Sequence, residues 1–288
     1  MNKVGIIGGS GFAGEELIRF LSSHESTSLL AVSSRELKGQ SVAQFVEGSD
    51  LIFVDPDDEI FFSCDVVFFA TPHGISMEKA KYFIQQGTKV IDLSADFRIK
   101  DLTIWKDWYN SDHKDPEGVE QSVYGLTELN GSLIKSSNLI AVPGCYPTAS
   151  ILGLLPLLDG RSKIDSITID AKSGISGAGR STVNSSLLSD IKENFKAYAT
   201  LGHRHLPEIK QVLEGVYGSS LKINFLPHLI PAMRGIYSTM YVNLEAKPSG
   251  PLIDLYKNFY KESPNIQLMG EGEVPEILKV CQTNNCQI

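Results

Sequence analysis

The sequence predicts an α/β protein, with a parallel sheet in its first half and a mixed α+β region in its second. Three observations carry this reading. Short apolar runs alternate with helical stretches from residue 3 to residue 142, and strand–helix alternation at that spacing means βαβ units. The run VVFFA at 66–70 is apolar throughout, as strands covered on both faces are. Beyond residue 158 the strands alternate apolar with polar residues instead, the pattern of a half-exposed sheet.

In chain order, residues 3–7 read as a buried strand and 14–23 as a helix. Strands follow at 29–33 and 66–70, a helix at 76–86, and strands at 89–93 and 139–142. A helix is expected over 148–158. The second half offers strands at 164–171, 221–226 and 235–244, and helices at 182–196, 206–216 and 251–262. The Pro and Gly residues at 143–147 suit a hinge, which divides the chain into domains 1–144 and 145–288.

Composition narrows the partners. Lysine and arginine number 26 against 34 acidic residues, a net charge of −8. That leaves no basic surplus for phosphate contacts, so no nucleic-acid partner is expected. No apolar run reaches the ~18 residues of a membrane span. The apolar stretch at 4–7 is too short for a signal peptide and runs straight into glycines. A cytoplasmic location follows as the expectation. Cys64, Cys145, Cys281 and Cys286 form no CxxC pair and no zinc spacing, so no metal is expected. Without export the thiols stay reduced, and a lone cysteine can then be a nucleophile.

The first strand runs directly into Gly8-Gly9-Ser10-Gly11-Phe12-Ala13-Gly14, and a helix follows. Glycines there allow a tight turn and close backbone approach to a pyrophosphate, which the helix N-terminus then holds. A structural turn is the plainer alternative, but the strand–loop–helix context at the head of a βαβ pattern points to a Rossmann-type dinucleotide site. At the end of the second strand, an acidic residue would select NAD. Ser33-Ser34-Arg35 stands there instead, and an arginine beside hydroxyls suits the 2′-phosphate of NADP. The other possibility is a solvated Arg35 paired with Glu36.

The stretch Ile140-Ala141-Val142-Pro143-Gly144-Cys145-Tyr146-Pro147-Thr148 ends a strand and starts a helix, with Pro147 in the first turn. Cys145 is thereby placed at a helix N-terminus, where the dipole and unpaired N–H groups favour thiolate. A buried core cysteine is the alternative, and it is the reading kept for Cys64. A thiolate beside a nicotinamide site implies attack on an activated carbonyl and hydride reduction of the thioester. The YxxxK pair of short-chain dehydrogenases is absent. Among six histidines, His24 and His113 lie in polar stretches and read as solvated. His203-Arg204-His205 precedes a helix start. It reads as a general acid/base site or as helix capping, with Arg204 helping to hold an anionic substrate.

At this point the chain resembles the N-acetyl-γ-glutamyl-phosphate reductase family of arginine biosynthesis. The resemblance rests on GGSGFAG (8–14), ATPHG (70–74), DLSADFR (92–98), YGLTEL (124–129), AVPGCYPTA (141–149), SGISGAGR (173–180), GHRHLPEI (202–209) and PHLIPAMRGI (227–236), in the family's order. It implies a Rossmann-type NADP-binding domain and a mixed α+β catalytic and dimerisation domain of the semialdehyde dehydrogenase type. It implies NADPH-dependent reduction of an acyl phosphate to a semialdehyde, in a homo-oligomer (dimer or tetramer). Cys145 matches the family nucleophile and His203 its catalytic histidine, which assists thiolate formation; His205 is the second choice. Gly8, Ser10, Gly11, Phe12, Ala13, Gly14, Ser34, Arg35, Ala70, His73, Gly74 and Ser173 fall to the cofactor, and Arg98, His205 and Arg234 to the substrate. A sister branch reducing a carrier-linked aminoadipyl phosphate in lysine biosynthesis shares GHRH and DLSADFR, but its cysteine turn differs. Family members also carry a closing strand and helix beyond the segment that Gln282-Thr283-Asn284 replaces here. That implies a truncated end and, as the alternative function, a catalytically weak NADP-binding paralogue.

Overall fold

The computed structural model describes residues 1–158, 163–180, 183, 192–246, 248 and 250–288. It contains two compact units, Met1–Pro143 and Gly144–Ile288.

The first unit is built on β1 (Asn2–Ile7), β2 (Thr27–Ser33), β3 (Phe53–Val54), β4 (Val66–Phe69), β5 (Lys89–Asp92), β6 (Val123–Tyr124) and β7 (Leu139–Ala141). Their order across the sheet is β3-β2-β1-β4-β5-β7-β6, and every pairing is parallel. The winding reverses between β1 and β4. In such sheets ligands bind outside the carboxyl ends of the strands at the reversal. Helices α1 (Phe12–Ser23), α2 (Ser76–Gln85), α3 (Leu102–Tyr109), α4 (Pro116–Gln121) and α5 (Thr127–Ser136) connect the strands. Val4 and Ile6 of β1 belong to one core with Ile18, Val32 and Phe53. Ile7 belongs to a second core with Phe69, Phe83, Val90 and Trp105. Two-sided burial is why β1 reads as an unbroken apolar run.

The helix α1 starts two residues before the expected 14, with Gly11 as its N-cap. The turn into it needs glycine. Gly8 has φ +93°, and a Cβ there would stand 2.6 Å from the Ala70 carbonyl oxygen. A Cβ on Gly14 would stand 2.5 Å from the Gly8 carbonyl oxygen. The first turn of α1 therefore lies directly against the loop that precedes it.

The second unit contains α6 (Cys145–Leu154), β8 (Ile164–Ser173), β9 (Lys196–Ala197), α7 (His205–Tyr217), β10 (Ile223–Leu229), β11 (Ile236–Leu244) and α8 (Leu252–Phe259). The sheet order is β11-β8-β10-β9. Strands β8 and β10 are parallel, and the other two pairs are antiparallel. Ile167, Ile169 and Ala171 of β8 are buried on the face that α6 covers. The opposite face carries Thr168, Asp170, Lys172, Tyr237, Thr239 and Tyr241, in register across β8 and β11. Helix α6 is apolar on all sides, and seven of its residues are buried. Its C-terminal carbonyls accept tyrosine hydroxyls from α8 and the residue after it: Tyr256 donates to Gly153 at 2.6 Å, and Tyr260 donates to Leu152.

Two expectations change. The helix expected over 182–196 lies mostly outside the described residues, and its last part forms a turn at 192–193 and β9. The strand expected at 221–226 runs on to Leu229. Pro227 lacks an N–H, but the neighbouring contact uses its carbonyl, which accepts the Tyr198 amide at 3.1 Å.

Gly14→Ala tests the packing of the glycine loop. The added methyl is expected to cost about 1–3 kcal/mol of stability and to weaken NADPH binding, read by thermal unfolding and by nucleotide fluorescence titration. Unchanged values in both would refute the close approach.

Candidate active site

In the first unit, the expected cofactor residues gather at the carboxyl ends of β1, β2 and β4. The Gly9 amide donates to the Ser33 carbonyl at 2.8 Å, and the Gly8 amide to Ser33 Oγ at 3.3 Å. Ser34 is buried. Its hydroxyl donates to Ser10 Oγ at 3.0 Å and accepts the Leu37 amide at 3.1 Å. Ser34 thus ties the glycine loop to the end of β2. Arg35 beyond it is exposed, with Lys38 paired to Asp55 at 2.9 Å nearby. Gly11, Phe12 and Ala13 open α1, and no side chain caps that end. A Cβ on Gly11 would meet nothing within 4 Å. A helix N-terminus beside open space fits a dinucleotide pyrophosphate.

The loop from Ala70 to Gly74 stands beside this site. Ala70 donates its amide to Ile7 at 2.8 Å. His73 is exposed, its ring edge-on to Tyr109 with centroids 5.3 Å apart. A fully buried carboxylate holds the loop. Asp96 accepts the Gly74 amide at 2.7 Å, the Ser76 hydroxyl at 2.9 Å and the Met77 amide at 3.0 Å. It therefore occupies the N-terminus of α2. Asp92 stands behind it, accepting from the Ser94 amide and hydroxyl, both at 2.9 Å. Burial, and then the Asp96 carboxylate, push the Asp92 carboxyl up to about 7. DLSADFR is thus a buried polar brace.

One expectation from the same region is corrected, that of His113. Arg98, read as an anion binder, is buried. It donates Nε to the Val142 carbonyl and one terminal nitrogen to the Leu93 carbonyl, both at 2.7 Å. It clamps the ends of β5 and β7. His113, read as solvated, lies 2.7 Å by Nε2 from the Asp96 carbonyl oxygen and edge-on to Trp105. His24 is exposed, as read.

In the second unit, Cys145 is the first residue of α6 and is exposed. Its turn is fixed from α7: the Gly144 amide donates to a carboxylate oxygen of Glu208 at 2.8 Å. Glu208 is 1% exposed. It belongs to the GHRHLPEI motif, but sequence reading singled out only the histidines there. Tyr146, buried beneath the thiol, has its hydroxyl 2.8 Å from that of Tyr198. Burial, and then Tyr198, push the Tyr146 phenol far up. Burial likewise raises Tyr198. Around this pair stand the rings of His203, 5.5 Å from Tyr146 and 5.7 Å from Tyr198, and of His205, 5.9 Å from Tyr146. Burial, and then the Arg204 guanidinium, push His203 down to about 4. Ser173, expected at the cofactor, is buried at the end of β8, where its hydroxyl donates to the Gly174 carbonyl at 2.8 Å. Arg234 follows on a segment locked against Ser173–Ser176 by backbone bonds of 2.9–3.1 Å. Cys64 is the inert buried thiol, pushed up to about 11 by burial and then by Asp65. Among the described residues no cluster of three metal-ligating side chains occurs, and no helix is long and apolar enough to cross a membrane.

Comparison with known proteins follows the same division. Residues 3–137 match the family described as semialdehyde dehydrogenase, NAD binding domain. Residues 145–288 match the family described as semialdehyde dehydrogenase, dimerisation domain. The N-acetyl-gamma-glutamyl-phosphate reductase of Nitrosospira multiformis is 45% identical, over all of this chain and 85% of its own length. The enzyme of that name from Halorhodospira halophila is 44% identical over the same shares. Among solved structures, aspartate semialdehyde dehydrogenase II of Vibrio cholerae has TM-score 0.73 at 15% identity, covering 97% of this chain and 84% of its own. Aspartate semialdehyde dehydrogenase with NADP from Candida albicans has TM-score 0.67 at 18% identity, covering 97% and 85%. At such identities the structures establish the fold.

The Asp92 environment carries a stability test. Its folded carboxyl sits near 7, against about 3.9 unfolded. The folded state keeps a proton that the unfolded state gives up. The contribution is therefore fully present below pH ~4 and lost as pH rises through ~7. Relative to Asp92→Asn, the natural chain is expected to lose stability across that window, measured by urea midpoints. A difference that does not vary with pH would contradict the placement.

Proposed function

The chain belongs to the N-acetyl-gamma-glutamyl-phosphate reductase family, and on that premise we propose that Cys145 and His203 carry out the family's acyl-phosphate reduction. The enzyme is an NADP-dependent oxidoreductase of arginine biosynthesis. It converts N-acetyl-γ-glutamyl phosphate to N-acetylglutamate 5-semialdehyde and phosphate. The observation that supports the assignment best is the position of Cys145. It is an exposed thiol on the first residue of a buried helix, with the preceding amide fixed by Glu208. The positive end of the helix dipole there favours the thiolate.

The chemistry runs through this chain's own groups. The Cys145 sulfur attacks the acyl carbon, and the phosphate leaves with the C–O electron pair. Bound NADPH supplies hydride to the resulting thioester. Collapse of the thiohemiacetal releases the aldehyde and restores the sulfur. His203 handles charge at the carbonyl oxygen. His205 and Arg234 are assigned to the substrate's anionic groups. Gly8 to Gly14 and the Asp96-held loop are assigned to the cofactor, with Arg35 toward the 2′-phosphate. The reaction is placed in the cytoplasm, where NADPH is available. The open sheet face of the second unit is assigned to a second copy of the chain, since Tyr241 is 60% and Leu226 38% exposed on it.

The aldehyde, phosphate and NADP⁺ together should produce absorbance at the NADPH band. Cys145→Ala should lower that rate by ~10³-fold or more while nucleotide binding persists. Retained turnover in the variant would rule out the covalent route. Tyr241→Lys places a charge on the open face, on the edge strand β11, and should shift the chain toward monomer in light scattering. An unchanged mass would move the interface elsewhere.

A further inference from the structure

A relay of four buried oxygens leads to the loop 70–74. Asp92 Oδ2 lies 2.9 Å from Ser94 Oγ, Ser94 Oγ lies 3.0 Å from Ser76 Oγ, and Ser76 Oγ lies 2.9 Å from Asp96 Oδ2. All four side chains are buried. Each contact needs a proton, and the two hydroxyls supply two protons for these three contacts. With both acids ionised, Ser94 donates to Asp92 and Ser76 to Asp96, and the two hydroxyl oxygens then face each other without a proton between them. The missing proton belongs on a carboxyl. Asp96 also accepts the Gly74 and Met77 amides at the start of α2, and donors at a helix N-terminus suit a carboxylate. Asp92 accepts one amide, that of Ser94.

We propose that Asp92 is a protonated positioning residue, whose carboxyl proton completes the relay through Ser94 and Ser76 to Asp96 and so holds the loop 70–74 in place for the nucleotide. The inference rests on the reading of that loop as part of the cofactor site. The bonds then run one way. Asp92 donates to Ser94, Ser94 to Ser76, and Ser76 to the Asp96 carboxylate, which keeps the Gly74 amide at 2.7 Å. At its other end the loop abuts the glycine turn, where a Cβ on Gly8 would stand 2.6 Å from the Ala70 carbonyl oxygen.

The surroundings support a proton here. Strands β4 and β7 bring Phe69 and Ala141 opposite Asp92. Helix α2 brings Ser76, while its Glu78, Lys79 and Lys81 pair with Lys114, Asp57 and Glu117. On the segment after β5, Arg98 donates to the Val142 and Leu93 carbonyls. His113 reaches the Asp96 carbonyl from the loop before α4. Asp96 is the charge that Asp92 faces, and burial, then that charge, push Asp92 up to about 7. Loss of the proton returns Ser94 to Asp92, empties the contact between the hydroxyls and sets two buried carboxylates against each other. Asp96 and the loop amide it holds take the repulsion. Because the proton is held below about 7 and released above, nucleotide affinity is full on the acid side and falls on the alkaline side.

Asp92→Asn isolates the effect, since its amide still donates to Ser94 but cannot ionise. Two readouts need no nucleotide. In protein labelled with ¹³C-aspartate, the infrared carbonyl stretch of a protonated carboxyl should be present at pH ~6, where ordinary carboxyls are ionised. It should fade as pH rises past ~7 and be missing from Asp92→Asn. No such band, or one kept in Asp92→Asn, would overturn the proposal. Hydrogen exchange of the peptide 70–77 should match that of Asp92→Asn at pH ~6 and run at least ~3-fold faster in the natural chain at pH ~8.5. Equal exchange at both would overturn the coupling to the loop and the proposal with it. From pH ~6 to ~8.5 the Kd of NADP⁺ should rise about five- to thirty-fold more in the natural chain than in Asp92→Asn, the nucleotide's own titration cancelling in the ratio. Ser76→Ala cuts the relay and leaves Asp92, and should bring that ratio toward one. A natural chain that binds NADP⁺ with no such rise would overturn the proposal. Failure of both chains to bind NADP⁺ would count against the cofactor reading, and the infrared and exchange results would still decide the proposal.

Discussion

Glu208 is buried to 1% exposure in the first turn of α7, and it accepts the amide of Gly144. A carboxylate so buried is costly unless it is hydrogen-bonded, and a charge-assisted bond to an N–H is among the stronger ones available. The bond fixes the turn just ahead of Cys145 to the helix that follows His203. Two stretches about sixty residues apart in sequence thus become one frame. Thiol exposure, helix orientation and the tyrosine packing beneath all depend on that frame. A negative charge near the first turn of α7 also suits the helix dipole, so the side chain serves its own helix while holding the other.

The first unit uses the same device. Asp96 is buried and takes three donors from the loop and helix that follow β4. In both units a buried carboxylate sets the backbone of a functional loop, and the exposed side chains are held in place by it. The carboxylates of Asp96 and Glu208 are both used on backbone amides.

The sequence made the β1–α1 turn legible because Gly8 and Gly14 stand where a Cβ would collide with backbone. It made Cys145 legible through Pro147 in the first turn of α6. The strands of the first sheet were visible as apolar runs because both faces are covered. The two-residue strands β3 and β6 were not, since no periodicity fits into two residues. Helix α3 was missed although Asp101 caps it through Thr103 and Ile104 and Asn110 ends it at φ 58°; its eight residues show only a short amphipathic pattern. His113 was misread because a polar residue looks exposed in sequence, and only the fold reveals that its partner is a backbone carbonyl. Glu208 was hidden by the histidines beside it.

Helix α6 is held at both ends, by Glu208 ahead of its start and by the hydroxyls of Tyr256 and Tyr260 at its final carbonyls. At about 1.5 Å per residue, its ten residues make a strut about 15 Å long. A strut pinned at both ends resists sliding along its axis, the motion that would displace the Cys145 sulfur. The position of the thiol is thus set partly at the far end of the helix, by two phenols on another element.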